Sequence, residues 1–345
     1  MRYWGWGSPM NADVRCFDPA VASERELADY HRLVLDTGKV DRPDEEPPPY
    51  ESVVARLRTP LTSRGPSRFW AAHLDGRLIG MASFGFPDNE NGHLVIGDIR
   101  VHPDQRRRGV GTATLRAALP TMRTAGRTIL TGWGVTAGGA GAKWADALGF
   151  RVVHHDVLQI LSISDTDASL WQVPTPDGYR LVKWIGTAPD ELLDSYATAR
   201  TAIHDAPSED SNYRLPEWTS DQVRTAEEDL RRRGIDQRVV VAVHEPTGAV
   251  AGLTELELHP NRQDVGYQQY TTVRAEHRGR GLGRSVKSAM VRWLVDERPQ
   301  ITRIGTSTAA GNVHMIRVNH QIGFKTMRSM IDVEAGIDAL AAVLM

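Results

Sequence analysis

Apolar residues along this chain fall into short blocks bounded by turn formers, interleaved with longer stretches of helical spacing, and the order of blocks occurs twice. In the first half, residues 67–73 and 77–84 read as two strands joined at Asp75-Gly76, a favoured two-residue hairpin turn. Residues 93–101 read as a third strand, 111–123 as a helix and 128–135 as a strand. A short helix over 141–148 and an extended stretch over 150–163 complete the half. The second half repeats the order: strands 238–244, 249–258 and 266–273, helix 283–297, strand 303–307, helix 313–322 and strand 324–333. A helix opens each copy, over 21–37 and 189–203.

The residues themselves repeat. Arg106-Arg-Arg-Gly109-Val-Gly111 returns 172 positions later as Arg278-Gly-Arg-Gly281-Leu-Gly283. Gly76-Arg-Leu-Ile-Gly80 matches Gly248-Ala-Val-Ala-Gly252 at the same offset, and Leu148-Gly149-Phe150 matches Ile322-Gly323-Phe324 at 174. Ordered matches at a nearly constant offset mean duplication. Val173-Pro-Thr-Pro-Asp-Gly178 has linker composition, which predicts one domain over 11–172 and a second over 178–345. Trp4, Trp6 and the Gly-Ser-Pro run before Asn11 lie outside the repeat.

Composition narrows the possibilities. A chain of 345 residues has room for two ordinary domains, and 41% hydrophobic with 24% charged residues is the balance of a soluble globular protein rather than a disordered tail or coiled coil. No window approaches the ~18 apolar residues of a membrane span, and no basic stretch followed by an apolar core opens the chain. Cys16, the single cysteine, can form neither an internal disulfide nor a thiolate metal cluster, so no metal and a cytoplasmic location are expected. A net charge of −2 gives no global field for nucleic acid. Only five of the 41 basic residues are lysines, so arginine runs carry little information by themselves.

The chemistry sits where a strand meets a helix through glycine. Gly109, Gly111, Gly281 and Gly283 let backbone N–H groups converge on a ligand, and the helix that follows points its positive end there, which makes a pocket for a diphosphate. Neither turn has the Gly-Lys-Ser/Thr of a P-loop, and Thr114 and Val286 stand where a dinucleotide fingerprint needs its third glycine. The pattern Arg-x-x-Gly-x-Gly after Ile99-Arg-Val-His-Pro and after Thr272-Val-Arg-Ala-Glu, with the late Gly-Phe, resembles the acyl-CoA loop of the GNAT N-acetyltransferase superfamily. The resemblance covers two consecutive modules, almost the whole chain.

That resemblance implies an α/β fold of two tandem GNAT-like domains, each a bent mixed sheet flanked by helices, with an acyl-CoA cleft between splayed central strands. It implies acetyl-CoA as cofactor, held by Val101, Arg106, Arg107, Arg108, Gly109, Val110, Gly111 and Thr112. In the second copy the corresponding residues are Val273, Arg278, Gly279, Arg280, Gly281, Leu282, Gly283 and Arg284, with Asn312 at the pantetheine arm. The first copy has Gly138-Gly-Ala-Gly141 in place of that asparagine. A tyrosine acid is frequent four residues before the late glycine in this superfamily, and Ala145 and Asn319 stand there instead.

Acyl transfer to an amine needs a base to remove a proton from an ammonium of pKa about 10. Glu255 and Glu257 alternate on one strand and so share a face, while the first copy has Ser83 and Gly85 there; this makes both glutamates candidate bases. His93 is the candidate in the first copy. Asp41, Asp44, Asp205 and Glu209, in loops after the opening helices, are candidates for holding a cationic acceptor. The expected activity is acetyl transfer to a primary amine of a small metabolite, by a monomer or homodimer, with no nucleic acid or membrane partner. The alternatives are a peptide or protein amine as acceptor, and acyl-CoA binding without catalysis.

Overall fold

The computed structural model describes residues 12–59, 64–207 and 209–344, so Trp4, Trp6 and the run before Asn11 lie outside the described residues. The chain forms two compact units. Up to His154 it contributes β1 (Asp13–Phe17), α1 (Glu24–Asp41), α2 (Tyr50–Arg58), β2 (Ser67–Leu74), β3 (Arg77–Gly85), β4 (Leu94–Val101), α3 (Val110–Thr124), β5 (Ile129–Thr136) and α4 (Ala140–Ala147) to the first unit. β6 (Arg151–Ser162) follows. The second unit holds β7 (Tyr179–Ile185), α5 (Asp190–Thr201), α6 (Ser220–Arg232), β8 (Asp236–His244), β9 (Val250–His259), β10 (Arg262–Val273), α7 (Leu282–Glu297), β11 (Arg303–Ala309) and α8 (Val313–Gln321). β12 (Lys325–Gly336) and α9 (Ile337–Leu344) end the chain.

Within the first unit β1 to β4 are antiparallel neighbours in order, β4 runs parallel to β5, and Met330–Gly336 of β12 pairs antiparallel with β5. Within the second, β7 to β10 are antiparallel, β10 runs parallel to β11, and Asp156–Ser162 of β6 pairs antiparallel with β11. The last strand of each repeat therefore completes the sheet of the other. This corrects the domain limits read from the linker composition at 173–178: the first unit also takes Asp210–Arg214 and the chain from Met330, while the second begins at His155. A Pro/Gly-rich segment signals a turn, but long-range strand pairing decides which sheet a strand belongs to.

Alternation in the strands explains why helices cover both faces. Trp70, Phe84, Val95 and Leu130 pack under Leu115, Ala118 and Met122 of α3, with Leu340 of α9. Phe69, Ala71 and Met81 point the other way, onto Leu27 and Leu33 of α1 and Leu57 of α2. The second unit repeats the layering, with Val286 and Met290 of α7 on Val240, Leu256 and Ile304. Leu192 and Tyr196 of α5 lie on Val239, Val241 and Leu253. Each buried Val, Leu, Ile, Phe or Met among them contributes roughly 1.5–3 kcal/mol by leaving water. α1 begins in a capping box, Ser23 with Glu26, and α6 in another, Thr219 with Gln222. The block pattern did not disclose β1, α2, β7, α6 or α9.

Candidate active site

Both parallel strand pairs part early. β4 and β5 are in register from Leu94↔Ile129 to Gly97↔Gly132 and no further. β10 and β11 pair only from Val265↔Arg303 to Tyr267↔Gly305. Each sheet thus opens into a V on the side that leads to the glycine turn. The turns share a backbone course: Arg107 and Gly109 have φ of 62° and 80°, and Gly279 and Gly281 have 77° and 81°. Gly109 and Gly281 are the left-handed residues that let the chain swing into α3 and α7, and no side chain caps either helix. The first helical bonds run from Ala113 N–H to Gly109 O and from Ser285 N–H to Gly281 O. The amides before them point out of the helix start, unpaired within it. A Cβ at Gly109, Gly279 or Gly281 would meet nothing within 4 Å, so the chain is open beside these three residues. Such a cradle fits the diphosphate of an acyl-CoA.

The arginines at these turns do not all face a ligand. Arg106 donates from Nε to the Val101 carbonyl at 3.1 Å and from both terminal nitrogens to Asp41, at 2.8 and 2.6 Å. Arg278 repeats this, from Nε to the Val273 carbonyl at 3.0 Å and from Nη2 to Asp205. Asp41 and Asp205, expected to attract a cationic acceptor, are therefore neutralised by the arginines expected to hold the cofactor. The reason is that the loop after each opening helix runs beside the glycine turn. Glu209 is likewise engaged, accepting from His155 N–H at 3.3 Å and lying 2.9 Å from His155 Nδ1. Asp44 is half-buried. Arg107, Arg108 and Arg280 are exposed and free to meet phosphate oxygens, apart from an Arg108 contact to Gln105 Oε1 at 3.3 Å. Asn312 caps α8, its Oδ1 accepting from Met315 N–H at 3.1 Å.

His93 is misplaced for a base. It precedes β4 and its carbonyl accepts from Thr128 N–H at 2.9 Å, at the closed end of the strand pair. At roughly 3.3 Å per residue it stands more than ~10 Å from the point where the strands part.

Glu255 lies on the α5 face of β9, 1% exposed. Tyr196 O–H donates to its Oε1 at 2.8 Å, Arg200 Nη2–H donates to its Oε2 at 2.9 Å, and Arg200 Nε stands 2.8 Å from Oε1. Burial pushes the Glu255 carboxyl above its usual range, and Arg200 and Tyr196 pull it back only in part. The Arg200 guanidinium lies 3.5 Å from the centre of the Trp218 ring. β10 carries an extra residue between Gln268 and Thr271, a bulge that turns Tyr270 toward Trp218 (ring centres 6.3 Å apart). Glu257 shares this face, half-buried and 3.5 Å from His259 Nε2. Tyr196 and Arg200 were missed in the sequence. Their four-residue spacing on a helix face that is otherwise apolar was the available signal.

The two copies differ at the turn. In the first, Trp144 Nε1–H donates to Thr112 Oγ1 at 3.2 Å, and the indole nitrogen stands 3.6 Å from where a Cβ on Gly111 would be. In the second, Val318 and Arg284 occupy the matching positions, and Gly283 meets only Val273 Cγ2 at 3.9 Å. Asn319, where the resemblance expects a tyrosine, is fully buried, its Nδ2 donating to Gln159 Oε1 at 2.7 Å and Thr308 Oγ1 at 3.3 Å.

Duplicated mixed sheets, parted central strands and uncapped glycine turns define the class. The sequence profile of the Acetyltransferase (GNAT) family matches residues 30–150 and 201–324, and the chain belongs to that family. It is an N-acetyltransferase with two tandem modules. A mycothiol acetyltransferase of Salinispora arenicola is 27% identical over 302 residues, covering 87% of this chain and 90% of that one. One of Mycobacterium avium is 27% identical over 242 residues, covering 67% and 71%. Among solved structures, a tandem GNAT protein from the clavulanic acid biosynthesis pathway superposes with a TM-score of 0.76 at 25% identity, covering 95% of this chain and 99% of that one. A GCN5-related N-acetyltransferase from Sphaerobacter thermophilus has a TM-score of 0.70 at 17% identity, covering 94% and 96%. No described helix is long and apolar enough to cross a membrane.

Proposed function

We propose that the second module transfers an acetyl group from acetyl-CoA to the primary amine of a small metabolite. The observation that carries this reading is the difference between the helix starts: an indole lies over Gly111 in the first module, and no side chain of that size lies over Gly283 in the second. Acetyl-CoA supplies the activated acyl group. The amides of Leu282, Gly283 and Arg284 hold its diphosphate, with Arg280 adding charge from the exposed side of the turn. Beyond Tyr267 the edge of β10 that faces β11 has no strand partner and offers backbone groups along which the pantetheine lies, with Asn312 near it.

Glu255 serves as the base that takes the ammonium proton. Burial raises the proton affinity of this carboxylate, which suits a base, and Tyr196 and Arg200 fix its orientation. Asn319 cannot donate a proton as a tyrosine would, so the departing thiolate takes its proton from water. The relatives named mycothiol acetyltransferases favour a small-molecule acceptor over a protein one. Asp41, Asp205 and Glu209 no longer argue for a strongly cationic acceptor, since each already has a partner. Thiol release from acetyl-CoA, measured against a panel of small amines, amino-sugar conjugates and peptides, tests this function. Turnover with a small amine is expected. Turnover with peptides alone, or acetyl-CoA binding without any turnover, overturns it.

A further inference from the structure

The second unit holds a cavity that the acetyl-transfer reading does not use. Its volume is about 410 Å³, and it lies between the end of β7, the later turns of α6 and the start of β8. Gln237 of β8 lines it, level across the sheet with Glu257 of β9 and Tyr267 of β10. At about 4.8 Å per strand, β8 stands ~10 Å from β10 and β7 one strand further. The cavity is therefore outside the V, and the glycine turn follows the opposite end of β10.

The chain leaves β7 through Gly186, a left-handed residue at φ 68° whose N–H donates to the Gln237 carbonyl at 2.8 Å. The first repeat has a cavity of about 460 Å³ at the matching place, where the ends of β1 and α2 meet the start of β2. The space is thus a property of the duplicated fold. Its lining is not. Ser67 pairs with Gly85 as Gln237 pairs with Glu257, so a serine stands in the first repeat where the second has an amide.

The charges that line the second-unit cavity are already matched. Arg224 donates to Glu227 Oε2 at 2.8 Å and to Asp190 Oδ1 at 2.5 Å, and Glu227 Oε1 accepts from the Ala188 N–H at 2.9 Å. Arg231 donates from Nε to Glu228 Oε2 at 3.0 Å. Two arginines and two glutamates cancel, so the lining has no net charge with which to select an ion. Glu257, across the strand from Gln237, stands 3.5 Å from His259 Nε2. The group left over is the side-chain amide of Gln237. The residue is 4% exposed, and among the described residues that amide has no hydrogen-bond partner. A polar group so far withdrawn from bulk water is stable only with a partner. Ile185, 51% exposed, buried Ile235 and half-buried Leu230 give the cavity apolar walls.

We propose that this cavity binds a small uncharged molecule through an amide edge. The C=O and N–H of the Gln237 side chain would pair with the N–H and C=O of a carboxamide or ring amide, and the apolar walls would hold the body of the ligand. Pockets of ~300–1,000 Å³ with apolar walls and a few placed polar groups suit such molecules. The site goes beyond the proposed function and uses neither the glycine turn nor Glu255. Calorimetry and saturation-transfer NMR on the full chain test it with three probes: nicotinamide, uracil and 3-acetylpyridine. The last keeps the ring and carbonyl of nicotinamide but has no N–H. At least one amide is expected to bind tenfold or more tighter than 3-acetylpyridine, and the two amides tell an exocyclic from a ring amide. Gln237→Leu is expected to abolish that preference, and Ile185→Ala, a change at a half-exposed position, to weaken the amide about threefold. The assignment is overturned by 3-acetylpyridine binding as tightly as both amides, or by no binding of any probe, which would mean that the cavity holds water alone. Amide binding unchanged in Ile185→Ala and in any folded Gln237→Leu overturns it as well. Acetyl-CoA binding and turnover in both variants should equal those of the unsubstituted chain, which separates this result from any failure of the acetyl-transfer reading.

Discussion

Arg106 grips Asp41 through two N–H···O contacts of 2.8 and 2.6 Å, and Arg278 grips Asp205 at the matching position of the second repeat. Each arginine also holds a carbonyl of the strand that leads into its own glycine turn, Val101 or Val273. The first arginine of each motif is thus a brace between turn, strand and acceptor-side loop, and its charge is already spoken for.

The two kinds of arginine should therefore part in their effects. Arg278→Ala removes two hydrogen bonds that shape the turn, at ~0.5–1.5 kcal/mol each, and should weaken acetyl-CoA binding about tenfold. Arg280→Ala removes only an exposed charge and should cost about threefold, with a stronger dependence on salt. Calorimetry at two ionic strengths checks both. Equal losses would show that net charge, and not the shape of the turn, governs affinity.

Trp144 should decide how many cofactor molecules bind. The unsubstituted chain is expected to take one acetyl-CoA, in the second module, because the indole bonded to Thr112 lies over the first turn. Trp144→Ala should expose a second site. A stoichiometry of two without substitution would show that the indole does not obstruct the first turn.

Glu255 should shape the pH profile. A base works deprotonated, and burial holds this carboxyl above its ordinary range, so kcat/KM should rise with pH through a value above that of a free glutamate. Glu255→Gln should remove that limb and lower kcat by roughly 100-fold or more, with acetyl-CoA affinity unchanged. An unaltered rate would move the base elsewhere, Glu257 being next on the same face.

Lys287 gives a stability test. It is 1% exposed, lies over the Phe324 ring, and burial lowers its pKa to about 7. The unfolded chain holds that proton up to about pH 10.4 while the folded one releases it near 7, so stability should rise with pH across that window. A shift of this size corresponds to at most about 5 kcal/mol. Lys287→Leu, which restores the residue type of Leu115 at the matching place in the first repeat, should raise the melting temperature at pH 7 and flatten the slope. Parallel pH curves for the two proteins would mean that the ammonium is solvated.

Sequence alone determined the duplication, most of the elements in each copy and the two glycine turns, while the parted sheet followed only from the family resemblance those turns carry. These are local facts: spacing, alternation and the need for a left-handed backbone at Gly109 and Gly281 are written into neighbouring residues. The pairing of Glu255 with Arg200, the capture of Asp41 and Asp205 by arginines, the indole of Trp144 over Gly111, and the exchange of β6 and β12 were decided by the tertiary structure. Each depends on distances between segments far apart in the chain. A charged or aromatic side chain carries no mark of which partner it will meet until packing brings one within a few ångströms.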